Sequence, residues 1–254
     1  MKKSTKPKED MEIIPRPNWY EGRRKNPRVG IAVSNIGAMS SAFVRSMMAI
    51  MRDSMFNGIV IDFILDETKP LDDSRNVTVK ELMACDPDYI FFADADMTFQ
   101  PPTIRWLLEQ GKDVITAVYC QKQPPHYPVL RMFDKDEGHY QVVRSYPKGK
   151  VFTVDSCGAG ALLVKASVFK KLKKPYFKWD YEKGISEDIY FCEKVKKAGY
   201  EIWVDGGVEC GHMADMRPIE PKDFWGAYLR NLSLTDKETI KTFDFKQEEP
   251  KLTK

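Results

Sequence analysis

Asp94 and Asp96 are two carboxylates one residue apart, at the end of the apolar run Tyr89-Ile90-Phe91-Phe92-Ala93. Asp-Pro-Asp precedes the run and Pro101-Pro102 follows it, which reads as a buried strand that surfaces at the two acids. With no basic residue beside them the charges repel, and an unpaired charge in a low dielectric costs several kcal/mol. A divalent cation removes that cost. Mg²⁺ and Mn²⁺ favour oxygen ligands, and Mg²⁺ is often held by one or two carboxylates plus substrate phosphates. A solvated turn is the competing reading of the same tripeptide, because Asp is a common turn residue.

Other residues with chemical potential have bland explanations when taken singly. Ser186-Glu187-Asp188 puts two acids at a helix start, where Ser and acids are favoured by the helix terminus itself. His212 is one of three histidines and matters only if the fold carries it to the acids. Gly158 and Gly160, in Cys157-Gly158-Ala159-Gly160, allow close approach of backbone or ligand between apolar strands. Arg75 precedes Asn76, a candidate helix cap; a helix start with a guanidinium suits an anion, and a surface Arg explains it equally. The aromatic stretch Tyr176-Phe177-Lys178-Trp179-Asp180-Tyr181 suits either stacking on a flat ligand or plugging the edge of the core.

The elements that must position these residues alternate. Val29 to Val33 is a first buried strand, with Ser34, Asn35 and Gly37 at its end. Ser40 or Ser41 caps a helix whose Phe43, Val44, Met47, Met48, Met51 and Met55 form one apolar face, and Gly58 ends it. Ile59 to Leu65 is a second strand ending in Asp66, and a short helix follows with Val79, Leu82 and Met83 on one face. The Asp94/Asp96 strand comes third, then a helix opened by Pro101-Pro102 and stopped by Gly111, then a strand at Val114 to Tyr119. Strand and helix in alternation predict right-handed crossovers and a mostly parallel sheet covered on both faces. In such sheets ligands bind outside the carboxyl ends of the strands, where Asp94 and Asp96 sit.

The pattern then changes. Val129 to Phe133 and Tyr140 to Ser145 alternate around Asp-Lys-Asp-Glu-Gly and read as an inserted hairpin. Val151 to Val164, a short helix at Ala166 to Leu172, a helix from Ser186 to Ala198 and a strand at Glu201 to Val204 follow. Pro221 to Leu232 reads as a last amphipathic helix. Residues 1 to 27 form a basic polar arm and 236 to 254 a charged tail around one domain over 28–235. Within it the strand-helix alternation covers about 28–120, and the changed pattern covers about 121–235.

Composition excludes several classes. The 254 residues are 43% apolar, enough for a sizeable core. A net charge of +3 makes no general case for nucleic acid. Five scattered cysteines without a CxxC pair suggest neither a zinc site nor a disulfide framework. No signal peptide is legible, and no apolar run approaches the ~18 residues of a membrane span. The expectation is a cytoplasmic protein, with the basic arm able to touch an anionic membrane surface.

In order, the chain offers a strand ending in Asp-x-Asp, then Gly-x-Gly, then an acidic helix start after Ser, then Gly211-His212. This order resembles the GT-A glycosyltransferases, especially family-2-like enzymes, over roughly residues 28 to 215. The resemblance implies an α/β, Rossmann-like fold: a mostly parallel central sheet flanked by helices, with an inserted hairpin and a small antiparallel second sheet. It implies a transferase moving a sugar from a nucleoside-diphosphate-sugar donor, UDP- or GDP-linked, to an acceptor hydroxyl with inversion, with a nucleotide-binding half over about 28–120 and a half over about 121–235 that completes the metal and acceptor side. Asp96 and His212 would ligate Mn²⁺ or Mg²⁺, and Asp94 would contact the donor or join the metal shell. Asp188 would be the general base, with Glu187 beside it. Ser34 and Asp66 would border the nucleoside, Arg75 would face the donor, and Gly158 and Gly160 would lie near its sugar. The acceptor is open: a glycan, lipid, protein or modified nucleic acid.

The usual acidic and Gly-Ser cluster after the second strand is replaced by Asp66-Glu67-Thr68-Lys69. Two other readings stand beside this one. Asp94-Ala95-Asp96-Met97-Thr98 also looks like the first motif of haloacid-dehalogenase-type phosphatases, with Asp94 as nucleophile and Asp96 as acid/base. That motif normally ends the first strand of its domain, and here two strand-helix units come earlier. A module of the same fold that binds a nucleotide or glycan without turnover is the other.

Overall fold

The computed structural model describes residues 26–34, 39–68, 70–214, 217–219, 221 and 246–248. Arg28–Ser34 (β1) lies between two parallel partners, Val60–Asp66 (β2) and Tyr89–Asp94 (β3). The crossovers are helices Ser41–Phe56 (α1) and Leu71–Ala84 (α2). Ser40 Oγ accepts from the Phe43 N–H at 3.0 Å, so the predicted cap of α1 is made. Only part of the predicted apolar face turns inward: Phe43 and Met47 are buried, together with Ile50, which that face did not include, while Val44, Met48 and Met55 are exposed. A helix laid on a sheet buries one stripe, and this sequence is apolar beyond that stripe. Asn76 is not a cap. α2 starts at Leu71, so Arg75 and Asn76 lie inside the helix rather than at an anion-binding terminus.

Met97–Thr98 (β4), Thr103–Glu109 (α3) and Val114–Val118 (β5) complete the first half. The predicted hairpin is Leu130–Asp134 (β6) paired antiparallel with His139–Val142 (β7). Val151–Val154 (β8), Ser156–Cys157 (β9) and Ala161–Lys165 (β10) follow, then Ala166–Lys171 (α4) and Glu187–Lys197 (α5). Ile202–Glu209 (β11), Gly211–Ala214 (β12), Arg217–Ile219 (β13) and Gln247–Glu248 (β14) are the later strands. β11 runs on through Asp205-Gly206-Gly207 instead of breaking there, with a register shift between Asp205 and Glu209. Gly206 permits this because a Cβ there would meet Pro147 O at 2.7 Å and Lys150 O at 2.9 Å.

The main sheet has the order β14-β8-β11-β5-β10-β3-β1-β2, flanked by two three-stranded sheets, β13-β12-β4 and β7-β6-β9. Among the described strands of the main sheet, only β8 and β10 run against the rest. β10 stands between β3 and β5 and is antiparallel to both. Its residues Ala161 to Val164 are fully buried, as an interior strand covered on both faces requires. Because β10 runs backwards, its first residues meet the end of β3: Ala161 pairs with Ala93. The Gly-x-Gly segment is thereby carried to Asp94.

One face of the sheet packs Val79, Leu82, Phe169, Phe191 and Val195 of α2, α4 and α5. The other packs Phe43, Met47, Ile50, Ile104 and Leu107 of α1 and α3. No helix among the described residues is long and apolar enough to cross a membrane. The basic arm, Asn35 and Gly37, the helix predicted over 221–232 and the charged tail fall outside the described residues, except at 26–27, 221 and 246–248.

Candidate active site

Register gathers the predicted residues first. Ser34 pairs with Asp66 on one side and Asp94 on the other, so the carboxyl ends of β2, β1 and β3 stand level. Ser34 is buried, and Ser74 of α2 lies 3.0 Å away, Oγ to Oγ. Asp66 accepts from the backbone N–H and the hydroxyl of Thr68, both at 3.0 Å.

Arg75 is the hub that the sequence did not reveal. Its side chain is 2% exposed and lies beneath three carboxylates rather than facing outward. Nη1 donates to Glu187 Oε1 at 2.5 Å and also to Asp188, and Nη2 donates to Asp94 Oδ1 at 2.9 Å. Burial works against the charged guanidinium, but Asp188, Asp94 and Glu187 outweigh it and raise its pKa further. The expectation that Asp94 and Asp96 lack a basic neighbour is therefore corrected: Asp94 pairs with Arg75, and Asp96 pairs with Lys122. Both cations lie far enough along the chain that only folding brings them in.

Three carboxylates share one guanidinium, so the cluster carries excess negative charge. Burial raises the Asp188 pKa to about 7; Arg75 opposes this, while Glu187 and Asp94 reinforce it. Glu187 Oε2 is buried and without a hydrogen-bond partner among the described residues. Ser186 precedes α5 at the cap position, yet its side chain makes no capping bond. Arg75 thus answers the acids of the first turn more directly than the helix terminus does.

Asp96 and His212 meet through the small sheet. β12 pairs with β4, placing His212 opposite Met97, and Met213 N–H donates to Asp96 O at 2.7 Å. His212 Nδ1 is 2.8 Å from the Cys120 carbonyl, which can only accept, so Nδ1 carries a proton. Nε2 then faces Asp96 Oδ1 at 3.5 Å. That Asp96 oxygen is buried and has no hydrogen-bond partner among the described residues. Two electron-rich atoms held face to face call for a proton or a cation between them. Burial tends to raise the Asp96 pKa; with the proton on Nε2, His212 joins Lys122 in outweighing it and brings it down to about 2.

The residues present fit a small hard cation held by one carboxylate and one imidazole, the remaining positions being left to water and phosphate. No group of three or more His, Cys, Asp or Glu side chains that could hold a metal occurs among the described residues.

Tyr119 closes the floor between the two acid groups and was not singled out by sequence. Its hydroxyl accepts from Gly160 N–H at 3.1 Å, and its ring stands edge-on to His212 with centroids 5.5 Å apart. Burial, then Asp94 and Asp188, push its pKa well up, so it stays a neutral phenol. The glycines make room for it: a Cβ on Gly158 would lie 2.0 Å from the Tyr119 hydroxyl, and one on Gly160 3.0 Å from Asp94 Oδ2. Of the aromatic stretch, Tyr176 and Phe177 plug the core against Phe169 and Phe191, whereas Trp179 and Tyr181 stay exposed.

Comparison with known proteins agrees on the fold. No family model and no curated protein matches the chain. Among solved structures it is similar to A197 from STIV, at 18% identity and TM-score 0.50, over 78% of this chain and 91% of that one. It is also similar to S. aureus TarS in complex with UDP-GlcNAc, at 12% identity and TM-score 0.44, over 82% of this chain and 66% of that one. The inositol-1-phosphate CTP transferase from T. maritima is similar at 12% identity and TM-score 0.42, over 85% of this chain and 98% of that one. The likeness to A197 is one of fold alone, and the other two are too distant to bear on function. The Rossmann-like sheet with its antiparallel insertion is the architecture that the GT-A resemblance implies.

Proposed function

We propose that this chain is a metal-dependent glycosyltransferase that moves a sugar from a UDP- or GDP-sugar to an acceptor hydroxyl with inversion. One observation carries the reading. Residues scattered over more than a hundred positions form two neighbouring groups at the end of β3: Asp94, Glu187 and Asp188 on Arg75, and Asp96 facing His212, with Asp96 Oδ1 buried and without a hydrogen-bond partner among the described residues.

Asp96 and His212 would hold Mn²⁺ or Mg²⁺. A cation there supplies fixed positive charge against the negative charge growing on the departing diphosphate. Ser34 and Asp66 border the nucleoside, and Asp94 lies against the donor sugar beside Gly158 and Gly160. Asp188 accepts the acceptor's proton as the acceptor oxygen bonds to the anomeric carbon. The bond from that carbon to the diphosphate breaks, and its electron pair leaves with the diphosphate. Arg75 holds Asp188 in place and Glu187 stands behind it. A positioned base contributes about 10²–10⁴-fold.

The test is melting temperature with UDP, GDP, CDP, ADP and dTDP, each with and without Mn²⁺. A ligand at 100 times its Kd stabilises by about 2.7 kcal/mol. The expected result is a shift with one diphosphate that needs Mn²⁺ and is lost in Asp96→Ala. No shift with any diphosphate, together with Mg²⁺-dependent phosphatase activity, would move the function to the dehalogenase-type reading.

A further inference from the structure

We infer that the groove between the β6–β7 hairpin and the first turns of α5 is the acceptor site, and that its acceptor is a carbohydrate. The inference rests on the glycosyltransferase reading and names the substrate class that reading leaves open.

The groove holds about 580 Å³, within the ~300–1,000 Å³ of small-molecule sites. Arg131, Phe133 and Tyr140 of the hairpin form one wall, and Trp179 and Lys183 form the other. Ser186 and Glu193 line its base. Ser186 and Ile189 line the groove on either side of Glu187 and Asp188 in the first turn of α5, so the groove opens within one helical turn of the proposed base.

Its chemistry is mixed in a particular way. In the groove Trp179 is 38% exposed and Phe133 42%, and Tyr181 beside Trp179 is 85% exposed, although Tyr176 and Phe177 of the same stretch are buried. Trp179 and Tyr181 stack with centroids 6.2 Å apart and planes 20° apart, which presents a flat aromatic ledge. Between the aromatics stand charged groups. Tyr140 donates to Glu193 at 3.5 Å, and Lys183 lies 3.9 Å from the same carboxylate.

A pyranose ring has apolar C–H faces and a rim of hydroxyls, so it matches aromatic planes interleaved with donors and acceptors. A lipid chain needs a continuous apolar lining, which Arg131, Lys183 and Glu193 interrupt. A nucleic acid needs a cationic track, which Glu193 opposes.

The wall is also tied to the catalytic cluster. Asp72 of α2 accepts from Trp179 N–H at 3.1 Å, and Asn76 accepts from Tyr176 N–H at 2.8 Å and donates to the Phe177 carbonyl at 2.8 Å. The helix that holds Asp188 through Arg75 therefore also fixes Trp179. A sugar stacked on Trp179 is held at a set distance from the base that takes its hydroxyl proton.

The experiment uses the full chain on an array of neutral and acidic oligosaccharides. Trp179→Ala and Phe133→Ala are compared with wild type, and the Mn²⁺-dependent nucleotide melting shift is recorded for each. Wild type is expected to bind a subset of the glycans. Each variant should lose about tenfold or more of that binding, with the nucleotide shift unchanged. A retained nucleotide shift with no glycan bound, or with glycans bound equally by both variants, overturns the acceptor assignment alone. Absence of any nucleotide shift removes the glycosyltransferase reading and this assignment with it.

Discussion

Arg75 satisfies three acids at once, and its removal should be felt more than that of any one of them. Leaving buried carboxylates without their counter-ion costs about 3–5 kcal/mol. Arg75→Ala is therefore expected to lose that much in urea unfolding, or to fail to fold. Loss below about 1 kcal/mol would show that the cluster is not built around it. Asp188 has a pH signature. Its pKa is raised in the folded state from 3.8 to about 7, so its contribution to stability is fully present below pH 3.8 and is lost as the pH rises through 7. Ligand-free wild type should lose stability between pH 4 and 8 relative to Asp188→Asn, which cannot ionise; parallel profiles would contradict the raised pKa. In turnover the same variant should lose about 10²–10⁴-fold in kcat while keeping the nucleotide-dependent melting shift. Part of this was legible. Asp94, Asp96, Asp188 and His212 were marked by residue type and order. Arg75 was named only as the residue before a helix cap and as facing the donor, yet Val79 and Leu82 at i+4 and i+7 put it at an inward position where an arginine must find acids. Those acids lie 19, 112 and 113 residues away, beyond any local pattern.

Among the elements, β10 shows what periodicity cannot supply. The strand itself was evident, but an apolar run buried on both faces carries no mark of direction or neighbour. It lies antiparallel between β3 and β5, and this placement carries Gly158 and Gly160 to the end of β3. Gly158 then has a stringent steric role. Alanine there sets a Cβ 2.0 Å from the Tyr119 hydroxyl and 2.8 Å from Val129 Cγ1. Overpacking of this kind costs about 1–3 kcal/mol. Gly158→Ala should lower stability by that amount and displace Tyr119, and Gly158→Ala with Tyr119→Phe should recover part of the loss. No recovery would mean that Val129 and the Tyr119 ring, not the phenol hydroxyl, resist the methyl group. α2 was underread for a related reason. Asn76 has the residue type of a cap, but its amide is used inside the helix to hold Tyr176 and Phe177.

At the scale of the whole molecule, the strand order interleaves the two halves of the chain. β5, from the first half, sits between β10 and β11 from the second. Arg75 meets Glu187 across 112 residues of sequence. A chain emerging from the ribosome could pair β1, β2 and β3 early, but Arg75 would then be buried with only Asp94 to answer it. The charge cluster thus works as a proof of completion: the first half cannot settle until the start of α5 arrives. A fragment covering residues 26–120 should show no cooperative thermal transition, and adding residues 121–214 should restore one. A cooperative transition in the fragment alone would show that the first half is self-sufficient. Long-range closure of this sort slows folding, and it ties the gathering of the acids around Arg75 to the final step by which the protein becomes stable.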